Sequence, residues 1–245
     1  MKNVYDNEEF FKYYQDLRAS EINANNLIEN PIIKSMLPDL KGKSILDLGC
    51  GDGNMSAYFM DNGAKRVYGI DISENMINEA NKLYADENRK FEVMKMEDIS
   101  QINEKFDIVY SSLAFHYVED FDKLLTDIHS LLNENGVLIF SQENPVESAS
   151  IFNREDLKNR IDIDGKRYYL LSDYANEGER NNFWNGVQVT KYHRSYCTLV
   201  NSLIKKFKIV EMKDSYASDE AIKLRDKYKY EKDRPLFLIV KAVKN

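Results

Sequence analysis

Three of the chain's ten glycines, Gly49, Gly51 and Gly53, fall within five residues, directly after the apolar run Ile45-Leu46-Asp47-Leu48. Clustering of this kind in a glycine-poor chain of 245 residues marks a place where main chain, free to take left-handed torsions, is needed. A short apolar run of this type belongs to a strand buried on both faces. Strand, glycine turn and helix N-terminus together let backbone approach a ligand closely. A second acid, Asp71, ends the next strand pattern, 22 positions after Gly49. In such folds a carboxylate about 20 residues on accepts hydrogen bonds from ribose hydroxyls.

The surrounding rhythm fits that reading. The first forty residues read as two helices. Phe11, Tyr14 and Arg18 share one face of the first, and the second, Asn25 to Leu37, bends or restarts at Pro31. From Lys43 the pattern alternates. Strands are predicted at 44–48, 66–71, 91–96, 106–110 and 137–140. Helices are predicted at 54–60, after the N-cap Ser73, and over Leu124 to Leu132, ending at Asn135-Gly136. Five strands separated by helices imply an α/β, doubly wound, mostly parallel sheet. After Pro145 the alternation stops, and Tyr168–Leu171 with Val187–Val189 predicts a hairpin tipped by Asn176–Asn182. A helix over Arg194–Lys206 and two adjacent antiparallel strands, at 209–210 and 235–240, close the chain. The organisation read from this is one domain: an N-terminal helical lid (1–40), a nucleotide-binding core (41–144), an inserted cap (145–193) and core completion (194–245).

Composition narrows the function classes. With 34 Lys+Arg against 41 Asp+Glu the formal charge is −7, so a polyanionic partner such as nucleic acid is disfavoured. The cluster Lys205-Lys206-Phe207-Lys208 reads as a helix end. Neither a signal peptide nor an apolar run of membrane-spanning length is present, which predicts a cytoplasmic protein without membrane insertion. Cys50 and Cys197 cannot make a disulfide framework or a zinc site, and no metal is expected.

The glycine spacing chooses among nucleotides. A dinucleotide fingerprint wants G-x-G-x-x-G, whereas here the pattern is Gly49-x-Gly51-x-Gly53 with Asp47 two residues ahead. An acid so placed is poor company for pyrophosphate but suits a cationic, zwitterionic ligand. P-loop chemistry is absent, because no Gly-Lys-Ser/Thr follows. Spacing and charge favour S-adenosylmethionine.

On these residues the chain resembles the class I S-adenosylmethionine-dependent methyltransferases, type 11, and is similar to the quinone-biosynthesis methyltransferases. Four blocks carry the likeness: Ile45–Gly53, Val67–Ile72, Phe91–Ile99 with Phe106–His116, and Leu132–Ser141. The segment Tyr110–Tyr117 adds similarity to a bacterial subgroup. Asn133-Glu134-Asn135-Gly136 departs from the family's usual Pro-Gly-Gly. The resemblance implies a Rossmann-like seven-stranded sheet whose last strand is antiparallel. It also implies that Asp47, Gly49 and Gly51 face the methionyl part of the cofactor, with the amides around Cys50 and Gly53 close by. Asp71 would hold the ribose, Ile72 would pack on adenine, and Met96, Glu97 and Asp98 would form the adenine-edge segment. Ser111 would lie beside the methionyl amine through its backbone. S-adenosyl-L-homocysteine is the implied product. For Asp98 a turn-capping role stays open, as does a purely steric role for Cys50.

Methyl transfer displaces an excellent leaving group, so holding the reactants in line supplies much of the catalysis. His116, five residues past the fourth strand, is the candidate general base, with a structural role as the alternative. His129 reads as structural. Tyr14 and Arg18, at i and i+4, are candidates to reach the cofactor carboxylate. Phe10, Tyr168, Trp184 and His193 are candidates for an acceptor pocket. The expected function is methyl transfer to a small-molecule acceptor. Alternatives are a cofactor-binding protein without transferase activity, a protein or RNA methyltransferase, or, against the glycine spacing, an NAD-linked oxidoreductase. Asp71→Ala would remove two hydrogen bonds to a charged acceptor, each of about 1.5–3 kcal/mol. Calorimetry should then find S-adenosylhomocysteine affinity lower by roughly one to three orders of magnitude.

Overall fold

The computed structural model describes residues 6, 11–13, 22–149, 160–184 and 186–245. A π-helical turn, Asn25–Glu29, runs into α1 (Asn30–Met36), and the helix restarts at the point where Pro31 needs no amide donor. The core alternates β1 (Ser44–Leu48), α2 (Asn54–Asp61), β2 (Arg66–Asp71), α3 (Glu74–Tyr84), β3 (Arg89–Val93) and a 3₁₀ turn (Met96–Gln101). It continues with β4 (Phe106–Ser111), a 3₁₀ turn (Phe115–Tyr117), α4 (Phe121–Leu131), β5 (Leu132–Glu143) and α5 (Pro145–Ser148). Two hairpins follow, β6 (Arg160–Ile163) with β7 (Lys166–Tyr169), and β8 (Gly178–Trp184) with β9 (Val187–His193). The chain closes with α6 (Tyr196–Ile204), β10 (Phe207–Asp214), α7 (Asp219–Leu224), a 3₁₀ segment (Asp226–Lys232) and β11 (Phe237–Lys244).

Seven strands form one sheet in the order β10-β11-β5-β4-β1-β2-β3. β11 alone runs antiparallel, against both β5 and β10. β1 sits between β2 and β4 with all five residues buried, so crossovers leave it in opposite directions and a crevice opens at the carboxyl ends of the strands. One face of the sheet packs Leu124, Leu125 and Ile128 of α4 and Leu199 and Leu203 of α6 against Leu138 and Phe140. The other packs Ile33 and Met36 of α1, Phe59 of α2 and Tyr228 against Ile45, Ile108 and Ile139. Among the described residues no helix is long and apolar enough to cross a membrane.

Three predicted elements are corrected. The third strand begins at Arg89 and ends at Val93, because Met96 already belongs to a 3₁₀ turn. α4 stops at Leu131 rather than at Asn135-Gly136, and β5 begins at once. The four polar residues of the segment form a bulge, where Asn135 is left-handed (φ 60) and the register with β4 shifts between Phe106 and Ile108. The hairpin proposed between 168–171 and 187–189 is in fact two hairpins. The tip of the first holds an Asp-Gly pair, among the strongest short hairpin signals, and Asp164 and Gly165 both have positive φ, as a type I′ turn requires. Phe140 is fully buried and its ring stacks on Phe115 at 4.7 Å. Phe140→Ala should cost about 3–5 kcal/mol in denaturant unfolding.

Candidate functional site

The site begins where β1 stops. Gly49, Gly51 and Gly53 are all left-handed, with φ of 73, 56 and 80. The amides of Gly49 and Cys50 both donate to the Ile70 carbonyl, at 2.8 and 2.9 Å, which folds the turn back onto β2. A Cβ on Gly49 would stand 2.7 Å from that of Ala114, whereas one on Gly51 would meet nothing within 4 Å. The first glycine is therefore required by packing, and the second keeps main chain open towards the cleft. Gly53 occupies the N-cap of α2.

Asp71 fastens the same turn from β2. Its two carboxylate oxygens accept from the amides of Gly51 (3.0 Å) and Ser73 (2.9 Å). Burial nevertheless raises its pKa, outweighing those donors. Asp47 is 2% exposed and has no hydrogen bond or ion pair among the described residues. Burial, reinforced by the charge of Asp71, pushes its pKa up to about 8. A buried carboxyl without a counter-ion beside exposed left-handed backbone suits a ligand that carries an ammonium group. The Cys50 thiol is buried and its pKa is raised, so it stays protonated and fills space.

A cleft of about 1050 Å³ runs from this turn to the underside of the β8–β9 hairpin. Of the residues predicted for the cofactor, Asp47, Gly49, Cys50, Gly51, Asp71, Ile72, Met96 and Glu97 line it. Gly53 and Ser111 do not. Ser111 is fully buried and its hydroxyl donates to the Leu48 carbonyl at 2.7 Å, tying β4 to β1. Asp98 lines a separate shallow depression with Ile72 and Met94. Phe10, Tyr14 and Arg18 lie outside the described residues, as does the side chain of Trp184.

His116 lines the cleft and is 4% exposed. Its Nδ1 accepts from the Glu143 amide at 3.2 Å, so the neutral ring carries its proton on Nε2. Burial pushes its pKa down to about 4. In that tautomer the nitrogen left for the cleft is a donor, an arrangement that fits the structural alternative better than a general base. Two predicted acceptor-pocket residues also lie elsewhere. His193 is fully buried, with Nδ1 2.8 Å from the Ser148 hydroxyl and Nε2 3.0 Å from the Tyr174 carbonyl, and it anchors the end of β9. Tyr168 stands on β7, 43% exposed and away from the cleft.

Sequence reasoning missed the other half of the cleft wall. Lys191 of β9 pairs with Glu143 at the end of β5, and both line the cleft with Phe183, Val187 and Val189. The signal was present, because Lys191 shares the alternating register of Val189 and the buried His193. Arg225 and Lys227, which also line the cleft, carried no such pattern. Among the described residues no cluster of His, Cys, Asp and Glu is placed to hold a metal ion.

Residues 46–140 match the methyltransferase domain family. A crystal structure of an S-adenosylmethionine-dependent methyltransferase from Mesorhizobium loti superposes with a TM-score of 0.80 at 34% identity, covering 88% of this chain and 97% of that one. This chain belongs to the S-adenosylmethionine-dependent methyltransferases. A protein of Haemophilus influenzae without a characterised function is 37% identical across 99% of this chain and 97% of its own. The malonyl-[acyl-carrier protein] O-methyltransferase of Enterobacter lignolyticus is 30% identical over 44% of this chain and 42% of its own. The cofactor is thus S-adenosylmethionine.

Asp47 binds its proton more tightly in the folded methyltransferase than in the unfolded chain. Stability without cofactor should therefore fall as pH rises from about 4 through about 8. Asp47→Asn should stabilise the cofactor-free enzyme at pH 8, on the order of a few kcal/mol. The gain should shrink towards pH 5 in thermal melts, and S-adenosylhomocysteine binding at pH 8 should weaken.

Proposed function

We propose that this methyltransferase acts on a small-molecule acceptor, by holding it in line with the methyl group and without a protein base. The observation that carries this reading is the continuous cleft joining the glycine turn to the β8–β9 hairpin. Its volume of about 1050 Å³ is at the upper end of small-ligand sites, roughly 300–1,000 Å³. That is the scale for a cofactor together with one small acceptor. The net charge of −7 speaks against a nucleic-acid substrate. Action in the cytosol is part of the same proposal.

When bound, S-adenosylmethionine supplies an electrophilic methyl on a cationic sulfur. In this reading Asp47 faces its amine, and the main chain of Gly49 and Gly51 lies along its methionyl portion. Asp71 takes the ribose, Ile72 covers the adenine, and Met96 and Glu97 border it. The loop from Ser112 to His116 separates this half from the acceptor half and positions the acceptor. Neither His116 nor Glu143, which line the acceptor half, is set to take a proton near neutral pH. His116 has its acceptor nitrogen engaged, and Glu143 is held below the usual carboxylate range chiefly by Lys191 despite its burial.

Incubation of the enzyme with methyl-labelled S-adenosylmethionine and a cell extract tests the reading. Label should appear in the acid-soluble fraction, at least tenfold above an Asp71→Ala control. Label confined to acid-precipitable protein or RNA would overturn it.

A further inference from the structure

The charges of the cleft are unevenly distributed between its ends. Asp47 on β1, Asp52 after it, Asp71 on β2 and Glu97 after β3 line one end, with Lys95 as the cation beside them. Across β4 the lining changes sign: Lys191 on β9, and Arg225 and Lys227 after β10, face the same cleft. Arg225 and Lys227 have no carboxylate partner in an ion pair among the described residues; both meet Tyr228, Lys227 at 5.3 Å from its ring centre and Arg225 by a hydrogen bond. Lys34, on the α1 wall, is already engaged over the Tyr58 ring at 4.2 Å.

The hydrogen-bonding sense at that end is equally one-sided. His116 Nε2 has no partner among the described residues and, with Nδ1 already accepting from the Glu143 amide, it donates. Lys191 spends a proton on Glu143 Oε1 and keeps two more N–H donors. Glu143, whose charge Lys191 offsets, is the one carboxylate in this half of the lining among the described residues. Donors without a matching acceptor orient an oxygen bearing lone pairs, and they repel a cationic or donor-rich nitrogen.

We propose, resting on the small-acceptor reading above, that the methyl acceptor is a carboxylate, held by Lys191 and the Nε2–H of His116 and drawn in by Arg225 and Lys227. A carboxylic acid arrives ionised near neutral pH, which matches an acceptor half without a base. In the step, a carboxylate oxygen forms the new C–O bond to the methyl carbon while the S–C bond breaks. The S–C electron pair stays on sulfur, giving the neutral thioether S-adenosylhomocysteine and a neutral methyl ester. No proton moves. The acceptor's negative charge and the sulfonium's positive charge cancel in this step, which favours reaction inside a half-closed cleft.

The test extends the labelling experiment to the chemistry of the acid-soluble product. Methyl esters release their methyl as volatile methanol in mild alkali, whereas methyl ethers, N-methyl and C-methyl products do not. Most acid-soluble label should become volatile. Acid-soluble label that resists alkali would overturn the carboxylate proposal and leave the small-acceptor reading standing. Label found only in macromolecules, or in no fraction, would instead overturn that earlier reading and this one with it. Two variants add a second readout. Lys191→Met, and separately the exposed pair Arg225→Gln with Lys227→Gln, should lower label transfer at limiting extract at least tenfold. S-adenosylhomocysteine affinity by calorimetry should stay within twofold in both. Because the exposed pair can be replaced without emptying the core, unchanged transfer in that variant would count against the proposal even if Lys191→Met fails to fold.

Discussion

The end of β1 is the constraint on which the rest depends. A strand buried on both faces cannot leave its last polar groups unsatisfied, and here both neighbours satisfy them. The Ile70 carbonyl of β2 accepts from Gly49 and Cys50, and the Ser111 hydroxyl of β4 donates to Leu48. With the turn fastened from either side, its glycines can stay left-handed and Gly51 can face open space. Asp71 completes the fastening by accepting from Gly51, so the residue proposed for the ribose also shapes the turn.

Electrostatics divides the cleft by the same topology. Asp47 is a buried carboxyl whose counter-charge no described residue supplies, and burial raises its pKa. Across β4, Glu143 and Lys191 compensate each other, and each holds the other charged against burial. A buried pair of this kind adds little net stability over an apolar pair. It does fix the position of an ammonium group, and through the Glu143 amide it fixes the tautomer of His116.

The hairpin that closes the acceptor half is held at its return to the core. His193 bonds Ser148 and Tyr174, and the next residue, Arg194, donates to the carbonyls of Val118 and Glu119 while its guanidinium lies 5.2 Å from the centre of the Phe121 ring. Val118 and Glu119 directly follow the turn that carries His116. The hairpin and the loop after β4 are thereby locked together, which gives Lys191 and His116 a common frame.

The glycine turn, Asp71 and the βα alternation were legible in the sequence because each is a local signal. Left-handed torsions demand glycine, and a doubly buried strand demands a continuous apolar run. The family could be named on the same short blocks. The type I′ tip at Asp164-Gly165 was equally local and was passed over in favour of a longer pairing. What the tertiary structure alone decided was which distant groups meet. Glu143 and Lys191 are 48 residues apart, and no local pattern pairs a strand end with a hairpin lysine. His116 looked like a base on position alone. Which of its nitrogens is left free turned on one backbone amide from another strand, the Glu143 N–H.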